Sequence, residues 1–329
     1  MSLILRLASR NLFQDRLRFI ATVVGIVFSI VLVMVQMGLF LSFERMVTTM
    51  IDHASADLWI VPLGTKCFED PSLLDEHDRA HALSVKGVTD AVPVVIGFTD
   101  WAVPTGGTTP IFIIGSSTST EGVHPWNVVQ GNLNALSTPH AVAIDQTYFA
   151  RLGITRIGES TEIREQRAQV MAITNGIRSF TTTPYIFTAL DRAQAYIGTS
   201  PNRVSYFLVH VSPGADVAAV RKLLLANLTK VEVLTPDEFR SRSRAFWLLG
   251  TGAGAALFAG ALLGVIGFFL AACVGLIIVE ATAETALPIV MTPLLTLGLF
   301  LLTVLMCVAS AVAAIVQVMR IDLSRVFRQ

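Results

Sequence analysis

The stretch from Ala245 to Val279, AFWLLGTGAGAALFAGALLGVIGFFLAACVGLIIV, runs 35 residues without a charge. A bilayer core of about 30 Å is crossed by roughly 20 helical residues, so this run exceeds one span and falls short of two joined by a turn. A second charge-free tract covers Phe19 to Phe43. A third covers Thr285 to Met319, where Pro288 and Pro293 place the helix start near Leu294. All 48 Asp, Glu, Lys and Arg residues lie outside these tracts. With a mean hydropathy of +0.64 and 53% hydrophobic residues, the chain reads as an integral membrane protein, not a soluble enzyme.

The first 18 residues carry Arg6, Arg10, Arg16 and Arg18 against Asp15, which anchors that end in the cytoplasm. A cleaved signal peptide would have an apolar core of about 7 to 15 residues and a small-residue cleavage site. The tract here is longer, and Leu41-Ser42-Phe43-Glu44 offers no such site, so an uncleaved anchor is expected. Before it, Leu3, Ile4, Leu7, Leu12 and Phe13 recur at helical spacing, as in a helix lying on the membrane surface; the alternative is an extension of the first span.

One crossing then places residues 44–244 outside the cytoplasm as an extracytoplasmic domain with a stalk. The connector 280–293 has two Glu and no Lys or Arg, whereas the tail 320–329 has Arg320, Arg325 and Arg328 against Asp322. Charge therefore asks for an outer connector, a last span at 294–319 and a cytoplasmic tail. The anomalous tract 245–279 would then cross twice or not at all. Arg240, Arg242 and Arg244 stand against the charge rule on the outer side.

The outer block reads as mixed α and β. Ala56–Val61, Ala91–Phe98, Ile111–Ile114, Tyr206–Val211 and Val231–Leu234 have the branched and aromatic content of strands. Asp216–Leu228 carries Val217, Val220, Leu224 and Leu228 on one helical stripe, giving a β-α-β unit. Thr235-Pro236-Asp237-Glu238 is a capping box that opens a further helix. That helix would run as a stalk through Phe239 to Phe246 and Trp247, aromatics suited to a membrane interface.

Four stretches, LASRNLFQDRLRFIATVVGIVFSIVLVMVQMGLFLSF, ADLWIVP, SRSRAFWLLGTGAGAAL and VLMCVASAVAAIVQVMRIDLSRVFR, resemble permease subunits of the MacB/FtsX-like ABC transporters, most nearly the DevC-type branch. The resemblance implies a MacB-like periplasmic core and multi-pass placement in a bacterial inner membrane. It implies a homodimer, a separate ATP-binding subunit and a periplasmic adaptor of the membrane-fusion type. Amphipathic cargo would be exported by ATPase-driven motion conveyed to the outer domain. In such permeases a polar coupling loop separates the second and third spans. Here AFWLLGTGAGAALFAGA resembles the start of one span and LLGVIGFFLAACVGLIIVEAT the body of the next, so 245–279 looks like a fusion lacking that loop. A membrane-anchored scaffold or an internally deleted, non-transporting relic is the competing reading.

No G-x-x-x-x-G-K-[ST] motif occurs, so ATP hydrolysis belongs to another chain, and no catalytic residue, cofactor or nucleic-acid partner is expected. His77 and His81 in DEHDRAH are four apart, a spacing that lets two imidazoles face one metal on a helix. Without an H-E-x-x-H pattern or another placed ligand, a solvated polar helix start fits better, and no metal site is assigned. Cys67 is the outer block's one cysteine, so it can bridge only to another molecule; Cys273 and Cys307 sit in apolar tracts. Gly252, Ala256, Gly260 and Gly264 form a small-residue stripe, with Gly250 and Gly254 beside it. It is either a helix-packing interface or the general glycine richness of membrane helices. Gln36 is the one long polar side chain of the first span, with Ser29 and Thr22 seven residues apart along it; these groups either make a polar interhelical contact or bond their own helix backbone. The spans hold no Asp, Glu, Lys, Arg or His, which disfavours an ion-coupled carrier.

Overall fold

The computed structural model describes residues 38–252 apart from 71, 118–120 and 182, together with 34, 35, 254–256, 259 and 262. Arg6, Arg10, Arg16, Arg18, Thr22, Ser29, Gln36, Gly260, Gly264, Cys273 and Cys307 lie outside the described residues. So do most of the first span and the connector, last span and tail. Among the described residues no helix is long and apolar enough to cross a membrane. The chain divides into two units, and Glu44–Trp247 form the body of the larger.

Its strands are β1 (Leu58–Pro62), β2 (Leu74–Asp75), β3 (Val88–Ala102), β4 (Thr108–Ser116), β5 (Val128–Gly131), β6 (Ala141–Asp145), β7 (Ser160–Ile163), β8 (Gln166–Thr174), β9 (Tyr185–Ala189), β10 (Arg203–Val204), β11 (Tyr206–Val211) and β12 (Val231–Leu234). The helices are α1 (residues 38–52), α2 (Asp78–Leu83), α3 (Phe149–Leu152), α4 (Leu190–Ile197), α5 (Val217–Asn227) and α6 (Pro236–Leu249).

Strand β1 is buried along its length because its alternating side chains serve two cores. Leu58 and Ile60 join Phe207, Val209, Val220 and Leu224 on one face, while Trp59 and Val61 join Tyr206, Leu208 and Phe239 on the other. β11 and β12 flank β1, both antiparallel to it. They are therefore parallel to each other across an intervening strand, and the expected β-α-β unit is split. Tyr206–Val211 and Val231–Leu234 match the expected strands residue for residue, and Asp216 caps α5 by accepting from Ala218 N at 2.9 Å. Val217, assigned to the buried stripe of α5, is 36% exposed. That helix meets the core from Val220 onward, where it presses on Gly87.

The pairing then closes on itself. β3 pairs β4, β4 runs parallel to β9, β9 touches β6, β6 runs parallel to β8, and β8 pairs β7, which returns to β3 through Trp101↔Ile163. One face of this circuit carries Val95, Ile111, Ile113, Val142, Ile144, Ile163 and Val170 as a core of their own. Trp101 lies within it and donates its indole N–H to Leu152 O at 3.0 Å.

Helix α4 lies so close over β3 and β4 that two positions must lack a side chain. A Cβ on Gly97 would meet Ile197 Cγ2 at 2.8 Å, and one on Gly115 would meet Ala193 Cβ at 2.0 Å. Gly115→Ala is expected to destabilise the domain by about 1–3 kcal/mol through overpacking, read as a lowered melting temperature in tryptophan-fluorescence thermal unfolding.

Candidate functional site

Helix α6 begins with the capping box anticipated from sequence. Thr235 N donates to Glu238 Oε2 at 2.9 Å and Glu238 N donates to Thr235 Oγ1 at 3.3 Å, with Pro236 as the first helical residue. Its buried residues are Phe239, Ser243 and Trp247, four apart, which puts them on one face over successive turns. Each meets the domain differently. The Phe239 ring packs edge-on against Trp59 and Tyr206 at centroid distances of 5.2 and 5.7 Å. Ser243 Oγ accepts from Phe68 N at 3.2 Å, and Trp247 Nε1 donates to Glu69 Oε2 at 3.0 Å.

The partner of this face is the segment after β1, residues 63–70. Gly64 takes a φ of +85°, a left-handed turn suited to glycine, and its N–H donates to Glu232 Oε1 at 2.9 Å. The other oxygen of Glu232 accepts from Arg242 Nη2 at 2.6 Å, and Arg242 Nη1 reaches Thr65 O at 3.2 Å. Arg242 holds the Glu232 carboxyl below its ordinary range. From β11, the Tyr206 hydroxyl lies 3.3, 2.9 and 3.0 Å from the carbonyls of Cys67, Phe68 and Asp70, so one phenolic proton serves a cradle of three acceptors. Asp70 accepts from Lys66 N, Ser72 N and Ser72 Oγ.

Glu69 is 3% exposed and accepts from Trp247 Nε1 and, at 3.3 Å, from the Tyr185 hydroxyl. These two donors are neutral. Burial pushes its pKa up to about 7, against the opposing pull of those hydrogen bonds. Burial likewise pushes Cys67, Tyr185 and Tyr206 well above their usual values.

The outward faces of α6 are held by charge. Arg240 Nε lies 2.6 Å from Asp52 and its Nη1 2.5 Å from Asp237, and Arg221 Nη1 is 2.8 Å from Glu238. Arg244 Nε stands 3.5 Å from Glu44, too far for a good hydrogen bond and so a Coulombic contact. The three arginines that stood against the charge rule thus each have a carboxylate partner in the domain.

Two expectations, for Trp247 and Cys67, need correction. Trp247 is not an interfacial aromatic: it is 2% exposed, bonded to Glu69 and packed edge-on against Phe180 at 4.6 Å. Cys67 is fully buried, which removes it from any bridge to another molecule. His77 stands at the N-cap position of α2 without a side-chain bond to the helix, its exposed Nδ1 2.7 Å from Asp75 Oδ1, and among the described residues no group of His, Cys, Asp and Glu is placed to hold a metal. In the small-residue stripe, Gly252 is helical and exposed and Ala256 is half-buried, while neighbouring Gly254 is buried with its N–H on Thr251 Oγ1 at 3.2 Å. Glu69, Tyr185 and Ser243 were not singled out from sequence. For Ser243 the four-residue spacing between Phe239 and Trp247 is a readable signal; Glu69, in an irregular segment, has none.

The fold and this clamp define a mixed α/β domain whose last helix is bolted to the segment following its first strand. The model of the MacB-like periplasmic core domain matches residues 19–226, and the chain belongs to that family. Among solved structures it is similar to the periplasmic region of MacB from Actinobacillus actinomycetemcomitans, at 11% identity and a TM-score of 0.45 over 58% of this chain and 94% of that one. It is also similar to the extracellular domain of the noncanonic ABC-type transporter YknZ from Gram-positive bacteria, at 16% identity and a TM-score of 0.40 over 55% of this chain and 99% of that one. No curated protein sequence matches the chain.

Ser243→Ala leaves the buried Phe68 N–H without its acceptor and is expected to cost about 1–3 kcal/mol. Arg240→Ala, at a partly exposed ion pair, is expected to cost less than about 1 kcal/mol. Melting temperatures of the two variants, measured side by side in detergent, check the order.

Proposed function

We propose that this chain is the permease subunit of an ABC-type exporter in the DevC-type branch of the MacB/FtsX-like family. The observation that carries the reading is the family match across the periplasmic core, joined to a helix clamped at three successive turns to that core. A helix seated so firmly moves the loop and sheet it touches when it is displaced. In this reading α6 conveys motion generated by a separate ATP-binding subunit to a periplasmic domain, and that domain acts with an adaptor protein. The chain works as a homodimer in the bacterial inner membrane. Carboxylate partners for Arg240, Arg242 and Arg244 support the outer placement of residues 44–244, because paired arginines are committed to the domain. Arg6, Arg10, Arg16 and Arg18 hold the N-terminus on the cytoplasmic side, and Gly252, Ala256, Gly260 and Gly264 pack helices within the bilayer.

One sequence observation favours a second reading. The tract 245–279 lacks the polar coupling loop that the family resemblance calls for, which fits a membrane-anchored scaffold or relic that keeps its partners and has lost energy coupling. Purification of the full chain in mild detergent separates the two. A permease co-purifies an ATPase and changes its turnover; co-purification with unchanged turnover supports the scaffold.

If the small-residue stripe is an interface, Gly260→Leu weakens assembly. In-membrane cross-linking of the full chain should then give less dimer than wild type, and an unchanged yield counts against the interface.

A further inference from the structure

Glu69 is a buried acid at the point where three parts of the domain meet: the segment after β1, strand β9 through Tyr185, and the last buried turn of α6 through Trp247. We propose that Glu69 is a proton-operated latch, in which the neutral carboxyl keeps the Trp247 end of α6 seated on residues 66–70 and the ionised carboxylate releases it. The latch adds regulation to the reading of α6 as the transmitting helix and rests on that reading for its use, though not for its existence.

The geometry gives the reason. With the junction closed, the groups holding the carboxyl include the Trp247 indole, the Glu69 backbone N–H, the Tyr185 phenol and the Cys67 thiol, all neutral donors. These neutral donors bring no counter-charge and burial shuts out bulk water, so a charge there is costly, whereas an opened junction hydrates it. The other titratable groups facing the site do not compete. Cys67, Tyr185 and Tyr206 stay neutral through the neutral range because burial pushes them upward, and Asp70 is turned to Lys66 N and Ser72. On α6, Arg242 is engaged by Glu232 and Thr65.

The sign follows from proton linkage. The closed state binds the proton with a pKa of about 7, and an exposed carboxyl has the ordinary value of 4.5. The added stability of the closed state is fully present below the ordinary value. It falls as pH rises through the raised one, with a limiting slope of roughly tenfold in the closed-to-open ratio per pH unit. Above that range it is flat.

The test is hydrogen–deuterium exchange by mass spectrometry on the full chain in lipid nanodiscs, corrected for the intrinsic pH dependence of exchange. In wild type, peptides covering 66–70 and 243–249 are expected to lose protection by about tenfold or more between about pH 5 and about pH 8, while the β11 peptide stays protected. Glu69→Gln, neutral throughout, should hold both peptides protected across the range. A wild type without this pH dependence, or a Glu69→Gln variant that keeps it, overturns the latch. Should Glu69→Gln lose protection in β11, showing that it does not fold, Trp247→Phe replaces it. Removing one donor to the carboxylate must move the midpoint upward, and an unmoved midpoint overturns the proposal. The readout is seating of a helix and not transport, so its failure leaves the permease reading standing.

Discussion

Strand β3 has to belong to two pairings at once, and the rest of the domain is arranged around that demand. Its first half lies against β11 and its second half against β4, with Val94 facing Tyr206 on one side and Ser116 on the other. Fifteen residues in one strand allow this without a break. The same strand thereby carries the split β-α-β layer of β1, β11 and β12 and the closed circuit that returns to it at Trp101. Since neighbouring side chains point to opposite faces, Val94 feeds the core shared with Trp59 while Val95 feeds the core shared with Ile113.

The helix α6 depends on this arrangement because its docking surface is assembled from separate pieces of chain. Tyr206 comes from the strand between β1 and β3, Tyr185 from the circuit, and Glu69 from the segment that leaves β1. Only when these are in register does a place exist for the Trp247 indole. Hydrogen bonds supply the specificity of the fit, and the rings of Phe239, Trp59 and Tyr206 supply apolar burial.

Local signals were read well from sequence. The capping box at Thr235, the strands Tyr206–Val211 and Val231–Leu234, and the helix after Asp216 are each set by neighbours a few residues away. What escaped was long-range. Trp247 near an apolar tract looks like a residue for the lipid interface, and nothing within twenty residues hints that its N–H ends on a carboxylate in the segment after β1. The burial of Cys67 is likewise set by distant parts of the chain, such as the Tyr206 hydroxyl on its carbonyl, and cannot be seen in a linear string. The strands β5 to β8, with their mixed parallel and antiparallel neighbours, left no periodicity strong enough to order them.

The spacing of Phe239, Ser243 and Trp247 along one face also fixes how the helix answers to force. A pull along its axis shears all three contacts together, since they lie in a row about 6 Å apart and share the load. A sideways tilt at the Trp247 end peels them instead, loading that single indole first and reaching the ring cluster of Phe239 last. The attachment is thus stiff to traction and compliant to leverage. A small angular displacement near residue 247 frees the end of the helix while its other end keeps hold of the domain.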